Sequence, residues 1–190
     1  KSQWLYHERF REKNICALLG SGFDPGVTNV FTSFGAKHYF DEINELDIID
    51  VNGGENHEPF STNFNPEINI REVSAACRHW EGDQFVESPA FSTHRSFSCP
   101  EGIGDFEIYR MYHEELESLT VAYPSLRRAQ FWMSFSPSYL QHLKVLTNVG
   151  MTDIHPVDYH GKPIVPLQFL KSILPDPGSL GESTTGKTCI

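Results

Sequence analysis

The spacing of apolar positions changes several times along the chain, and each change marks an element. Trp4, Leu5 and Phe10 fall on one side of residues 2–13 with charges on the other, which predicts a helix stopping near Asn14. Cys16 to Leu19 is a continuous apolar run and predicts a buried strand over 15–19. It opens onto Gly20-Ser21-Gly22, an elbow whose glycines permit a sharp exit and a close backbone approach. Asp24-Pro25 then reads as a helix start, an N-cap oxygen followed by a ring whose missing N–H costs nothing at the first helical position. That helix runs to about His38. Leu46, Ile48 and Ile49 predict a strand over 46–52 that ends at Asn52-Gly53-Gly54. Residues 53–66 are a polar loop, and Asn65-Pro66 opens a helix to about Ala76.

In the second half, residues 78–87 read as a hairpin around Glu81-Gly82-Asp83, and 91–98 as a further strand. Residues 106–112 alternate with a period of two, and a helix follows over 114–123. An apolar strand (129–135), a helix ended by Gly150 (137–149), a hairpin turning at His160-Gly161 (157–165) and a short helix (166–174) complete the series. The remainder is polar and rich in Gly, Ser and Thr. Strands and helices mix without strict alternation, which places the chain in the α/β (mixed α+β) class.

Composition narrows the function. A net charge of -10 argues against nucleic acid, whose binding needs Lys and Arg against phosphates, and against anionic membrane surfaces. An acidic field suits cationic small molecules. No apolar run approaches the ~20 residues that span a bilayer, and no secretory signal is visible. Cys16, Cys77, Cys99 and Cys189 form no C-x-x-C pair and read as free thiols of a cytoplasmic protein. The chain opens on Lys1 and stops at Cys189-Ile190 inside a continuing segment, so it reads as a piece of a longer protein.

Several motifs drop out on inspection. Glycines at 20, 22 and 26 miss the dinucleotide spacing G-x-G-x-x-G by one residue. Residues 181–188 satisfy the phosphate-loop pattern G-x-x-x-x-G-K-[ST], but Pro175 and Pro177 precede them and only two residues follow, so the strand and helix that make the motif work are missing. His155 and His160 flank a hairpin turn and do not share a helix face, so no metal site is expected.

Two constellations remain. Tyr112-His113-Glu114-Glu115-Leu116-Glu117 lies at a strand-to-helix junction, where His113 can serve as a general acid or base. Acidic residues also suit a helix N-terminus, which by itself explains the glutamates. Asn63 through Arg71 places amides and a fork-shaped guanidinium on a loop and helix start, groups that suit an amino-acid carboxylate but equally serve as loop caps and a surface ion pair.

Residues 20–31, 63–71, 112–119 and 139–151, taken together, resemble the saccharopine dehydrogenase family, and within it the carboxynorspermidine-forming branch. The resemblance spans essentially the whole chain. It implies NADPH-dependent reductive coupling of aspartate β-semialdehyde with a diamine in polyamine biosynthesis. It also implies that residues 1–24 close an N-terminal Rossmann domain. Residues 25–190 would form most of a substrate-binding and dimerisation domain, a mixed sheet with helices on one face. On this reading His113 donates a proton, Arg71 anchors the semialdehyde carboxylate, and Glu114 or Glu115 holds the distal ammonium. Asp24, Asn52 and Asn63 line the cleft, and Gly22, Asp24 and Pro25 border the cofactor. The expected partners are a diamine, an amino-acid semialdehyde and a second copy of the chain, with no nucleic acid and no membrane. Saccharopine formation in lysine metabolism and a non-catalytic dimerisation module are the competing readings.

Overall fold

The computed structural model describes residues 2–190. A 3-10 turn leads into α1 (His7–Glu12), and an irregular stretch then carries the chain to α2 (Val27–Tyr39). There follow β1 (Glu45–Asn52), α3 (Pro66–Ser74), β2 (Cys77–Glu81), β3 (Gln84–Ser88), β4 (His94–Cys99) and β5 (Gly104–Met111). After these come α4 (Glu115–Ala122), β6 (Arg128–Ser134), α5 (Pro137–Asn148), β7 (Val157–Tyr159), β8 (Lys162–Ile164) and α6 (Pro166–Ile173). A short α7 (Pro177–Leu180) and β9 (Thr188–Cys189) end the chain.

Seven strands form one mixed sheet, and β7 and β8 pair separately as a small hairpin. β1 and β6 run parallel, from Glu45 opposite Arg128 to Asp50 opposite Met133. Every other pairing is antiparallel. β2 and β5 share the second side of β6, β2 at Trp80–Ala129 and β5 from Ile108–Ser134 to Met111–Phe131. β9 extends the sheet beyond the end of β1, at Val51–Cys189 and Asn52–Thr188.

The sheet's two faces carry different cores. On one, Ile48, Ala129, Phe131 and Met111 meet Ile70 and Val73 of α3, Leu116 and Leu119 of α4, Leu143 of α5, and Leu167 and Leu170 of α6. On the other, Val51, Cys99, Ile108 and Trp132 pack with Phe97, Phe106 and Cys189 from strands and loops. The expected mixed sheet with helices on one face is therefore the observed architecture. The alternation of β1 follows: Ile48 and Asp50 point to the helical side, Ile49 and Val51 away from it.

Three expectations need correction. Residues 15–19 form no strand, and Ile15 and Leu18 are exposed, because no sheet edge among the described residues lies beside them. The first helix is a 3-10 turn followed by less than two turns of α-helix, and it buries nothing. Asp24-Pro25 is not the start of α2, whose N-cap is Gly26 at φ 145°. The loop closes on itself: Gly22 N–H donates to the Pro25 carbonyl at 2.9 Å, and Val27 N–H to the Gly22 carbonyl at 3.1 Å. A Cβ on Gly26 would sit 2.1 Å from the Gly22 oxygen, so only glycine fits the crossing. This knot releases the Asp24 carboxylate from capping duty and leaves it facing the interior. The phosphate-loop look-alike at residues 181–187 is a loop that leads into β9.

Candidate functional site

The parallel pair β1–β6 ends at one side of the sheet, and a cavity of about 820 Å³ opens there. Asp50 and Asn52 come from β1, Met133 and Ser134 from β6, Met111 from β5, and His113 and Glu114 from the turn between β5 and α4. The long loop 53–65 and α3 close the far wall with Thr62, Asn63, Asn69 and Glu72. Asp24 reaches in from the glycine knot. Ligands of open α/β sheets gather at this same place, beyond the carboxyl ends of parallel strands.

Why each element presents these groups is local. Asn65 caps α3 by accepting from the Glu67 amide at 3.0 Å, and Pro66 takes the first helical position. α3 then turns Ile70 and Val73 into the core and Asn69 and Glu72 towards the cavity. The Asn52 amide donates to the Ser134 hydroxyl at 2.8 Å, which locks the ends of β1 and β6 together. An aromatic wall stands opposite the acids: Tyr139 stacks on Phe60 at 4.9 Å and on Phe135 at 5.5 Å. The Tyr139 hydroxyl donates to Asn69 at 2.7 Å.

His113 is the centre of the charged wall. Its ring lies flat on Phe131, with centroids 4.4 Å apart. Nδ1 is hydrogen-bonded to Glu115, whose side chain is 0% exposed and accepts a second bond from the Thr28 hydroxyl at 3.2 Å. Nε2 faces Glu72 at 3.6 Å and Asp24 at 4.0 Å. Burial works against a charged imidazole, but the Glu115 hydrogen bond and the negative charges of Glu115, Glu72 and Asp24 outweigh it, and the pKa rises to about 9. His113 is thus an imidazolium at neutral pH. Burial in turn lifts the carboxyls of Asp24 and Glu72 above their usual range, with the His113 charge pulling the other way. Asp50, not singled out from the sequence, is lifted to about 7, first by burial and then by the charge of Asp24.

The other expected site residues separate into four groups. Asp24, Asn52, Asn63 and Glu114 line the cavity with His113. Glu115 does not; it is buried behind the imidazole and hydrogen-bonded to it. Arg71 lies off the cavity, its side chain 58% exposed and 3.8 Å from Glu67 one helical turn away. Gly22 and Pro25 form the knot behind Asp24, where the Gly22, Val27 and Gly26 amides donate to Pro25, Gly22 and Asn29. Glu72, His113 and Glu114 each bring one ligand-type atom within 4.8 Å of the others, but both imidazole nitrogens already face carboxylates, which is the arrangement of a held cation. His155 is exposed and paired with Asp153.

Sequence reasoning also missed a second, smaller cleft of about 500 Å³ that adjoins the first. Asn52, Gly54, Asn56, Thr62 and Asn63 line both. Its outer rim is the C-terminal segment, with Thr184, Thr185, Lys187 and Thr188. No helix of the described residues is long and apolar enough to cross a membrane.

The chain is 53% identical over 188 residues to carboxyaminopropylagmatine dehydrogenase of Synechocystis sp., covering 99% of this chain and 47% of that protein. It is 40% identical to carboxynorspermidine synthase of Vibrio alginolyticus and 37% identical to that of Vibrio cholerae, covering 45% of each. The chain thus spans about half the length of the curated relatives it matches. Apo saccharopine dehydrogenase (L-Glu forming) from Saccharomyces cerevisiae shares the fold at a TM-score of 0.52 with 13% identity, over 74% of this chain and 34% of that one. The saccharopine dehydrogenase C-terminal domain matches residues 22–188, and it is to this family that the chain belongs.

Proposed function

We propose that this chain is the substrate-binding and dimerisation part of an NADPH-dependent reductase. That enzyme joins aspartate β-semialdehyde to a cationic amine, giving a carboxynorspermidine-type or carboxyaminopropylagmatine-type product for polyamine synthesis. The cavity carries the reading. Six carboxylates line it, with one histidine and no Lys or Arg, and an aromatic wall runs beside them. A chain of methylenes bearing a cation finds apolar surface and compensating charge in the same space. The most similar of the named relatives acts, by its name, on an agmatine derivative, whose far end is a guanidinium; the Vibrio enzymes are named for an ammonium-ended norspermidine. Both ends suit an acidic cavity. A saccharopine-type reaction, whose two partners are amino acids, fits less well because the cavity offers no cation besides His113.

In the complete enzyme NADPH would supply the hydride, with Gly22, Asp24 and Pro25 bordering it. We assign residues 1–24 to the end of the nucleotide-binding unit. His113 handles the proton. The semialdehyde and the amine condense to an imine, and the Nε2 proton passes to the imine nitrogen, which makes the carbon electrophilic enough to accept hydride. Asp24 and Glu72 stabilise the cationic nitrogen so formed, Glu115 keeps the ring oriented through Nδ1, and a proton from solvent entering the cavity restores Nε2–H. The semialdehyde's carboxylate is assigned to the adjoining cleft beside Lys187, in place of Arg71.

The test is His113→Asn in the full-length enzyme. Its turnover falls about a hundredfold or more, while the affinity for the amine changes little. The wild-type rate declines above pH ~9, where His113 loses its proton, and that limb disappears in the variant. An unchanged rate and pH profile would sink the assignment.

A further inference from the structure

Asp50 has no part in the proposed chemistry, and among the six carboxylates lining the cavity it alone has a buried oxygen without a partner. It sits at the end of β1 on the helical side of the sheet, 6% exposed. Its Oδ1 is fully buried and has no hydrogen-bond partner. Buried carboxylate oxygens are almost always satisfied, because leaving one unpaired costs the full desolvation penalty. Asp24, Glu114 and Glu115 add negative charge around the site, Glu72 adds more from α3, and His113 is the one positive group lining the cavity. His113 is already committed to Glu115, Glu72 and Asp24. No charge in the cavity is free to neutralise Asp50.

We propose that Asp50, with its buried and unpartnered Oδ1 at the acidic cavity, is the anchor for the cationic nitrogen of the amine substrate. The inference rests on the proposed function and deepens it by naming the group that recognises the cation. An orphaned, buried acceptor lining an acidic cavity is half of an interaction; an ammonium or guanidinium N–H is the other half. Without ligand the carboxyl stays largely neutral below about pH 7, because burial and the Asp24 charge both oppose ionisation. The arriving cation reverses that balance: the protonated carboxyl and the cation become a carboxylate–cation pair, and one proton leaves to solvent. His113, with its higher pKa, loses no proton in the same range.

Calorimetric titration of the protein with agmatine and with 1,3-diaminopropane, in buffers of different ionisation heat, tests this. Wild-type protein should release about 0.9 proton per amine near pH 6 and about 0.1 near pH 8, since the free carboxyl is half-ionised at about 7. Asp50→Asn should abolish the release and weaken amine binding about tenfold or more. A carbon-13 titration of the aspartate carboxyls in unsubstituted protein gives the same answer without a variant: one buried carboxyl ionises when amine is added near pH 6. If amines bind with no proton release and Asp50→Asn binds them equally well, the anchor assignment is overturned while the amine-binding function stands. If neither amine binds the wild-type protein at all, the function itself fails.

Discussion

At the residue scale, the site is two ionisable groups held in opposite and unusual states. The acids around His113 keep it charged, while burial, helped by the charge of Asp24, holds the proton on Asp50 below about pH 7. Their contributions to stability follow with definite sign. The folded pKa of His113 lies above its ordinary value, so its contribution is complete below about 6.5 and is lost as pH rises through about 9. The folded pKa of Asp50 is also raised, so its native proton stabilises the fold below about 4, and the advantage drains away between there and about 7. Above that, Asp50 is a buried, repelled charge. We therefore expect Asp50→Asn, without ligand, to raise the melting temperature at pH 8 by several degrees, on the order of 1–3 kcal/mol, and to do little at pH 4. Equal melting shifts at both pH values would show that the carboxyl is not held neutral. His113 was legible in the sequence because it stands at a strand–helix junction among acids. Asp50 was not, because Glu45–Asn52 offers two aspartates, Asp47 and Asp50, in one apolar strand. Asp47 takes the opposite parity and pairs at the surface with Arg95 and Arg128. Only the knowledge of which face the helices cover separates them; the signal available was that Asp50 shares its parity with Leu46 and Ile48.

At the scale of elements, periodicity and punctuation located most of the fold. Asn65-Pro66, Ser136-Pro137 and Val165-Pro166 each open a helix where expected, because proline at the first helical position is self-contained local information. The failures occur where an element depends on a distant partner. The apolar run 15–19 has strand character but no sheet edge beside it. β9 has little strand character, yet it forms, because two close approaches admit it. Gly53 N–H donates to the Lys187 carbonyl at 2.9 Å, where a Cβ would stand 2.7 Å from that oxygen, and a Cβ on Gly186 would stand 2.3 Å from the Gly53 oxygen. The tail is thereby clamped across the end of β1, with Lys187 over the smaller cleft. This is the positive rim of a cavity otherwise acidic, so a substrate that is anionic at one end and cationic at the other meets matching charge at each. Lys187→Gln in the full-length enzyme is expected to raise the KM for the semialdehyde about tenfold, with the amine KM within twofold, as loss of one charge-assisted contact would do. An equal rise in both constants would place Lys187 outside the carboxylate contact and make the clamp a general structural one.

At the scale of the whole molecule, α2 is turned inside out relative to an ordinary surface helix. Its polar groups face the domain: Thr28 bonds Glu115, Asn29 donates to Ser118 at 3.0 Å, and Ser33 accepts from the Tyr123 hydroxyl at 3.1 Å. Val30, Phe31 and Phe34 point to solvent, each more than half exposed, as are Trp4, Leu5, Ile15 and Leu18 earlier in the chain. A helix normally buries its apolar stripe, and a contiguous exposed one marks a surface meant for another body. Composition alone could not show this, because the same phenylalanines would serve a core equally well; it took the hydrogen bonds to α4 to fix which side of α2 is inward. The orientation fits the proposal that residues 1–24 end a nucleotide-binding unit and that this face meets it. If so, the stripe contributes nothing to the domain's own stability. Phe31→Ser with Phe34→Ser should leave the melting temperature of this 190-residue chain within about 0.5 kcal/mol of the unsubstituted one, as for surface positions generally. It should also cut its binding of an apolar fluorescent dye severalfold. In the full-length enzyme the same pair should lower coenzyme affinity without altering the proton release on amine binding, since Asp50 lies across the sheet end in its own cavity. A collapse of the melting temperature in the isolated chain would instead make the stripe part of this domain's core, and the two-body reading of the molecule would fall with it.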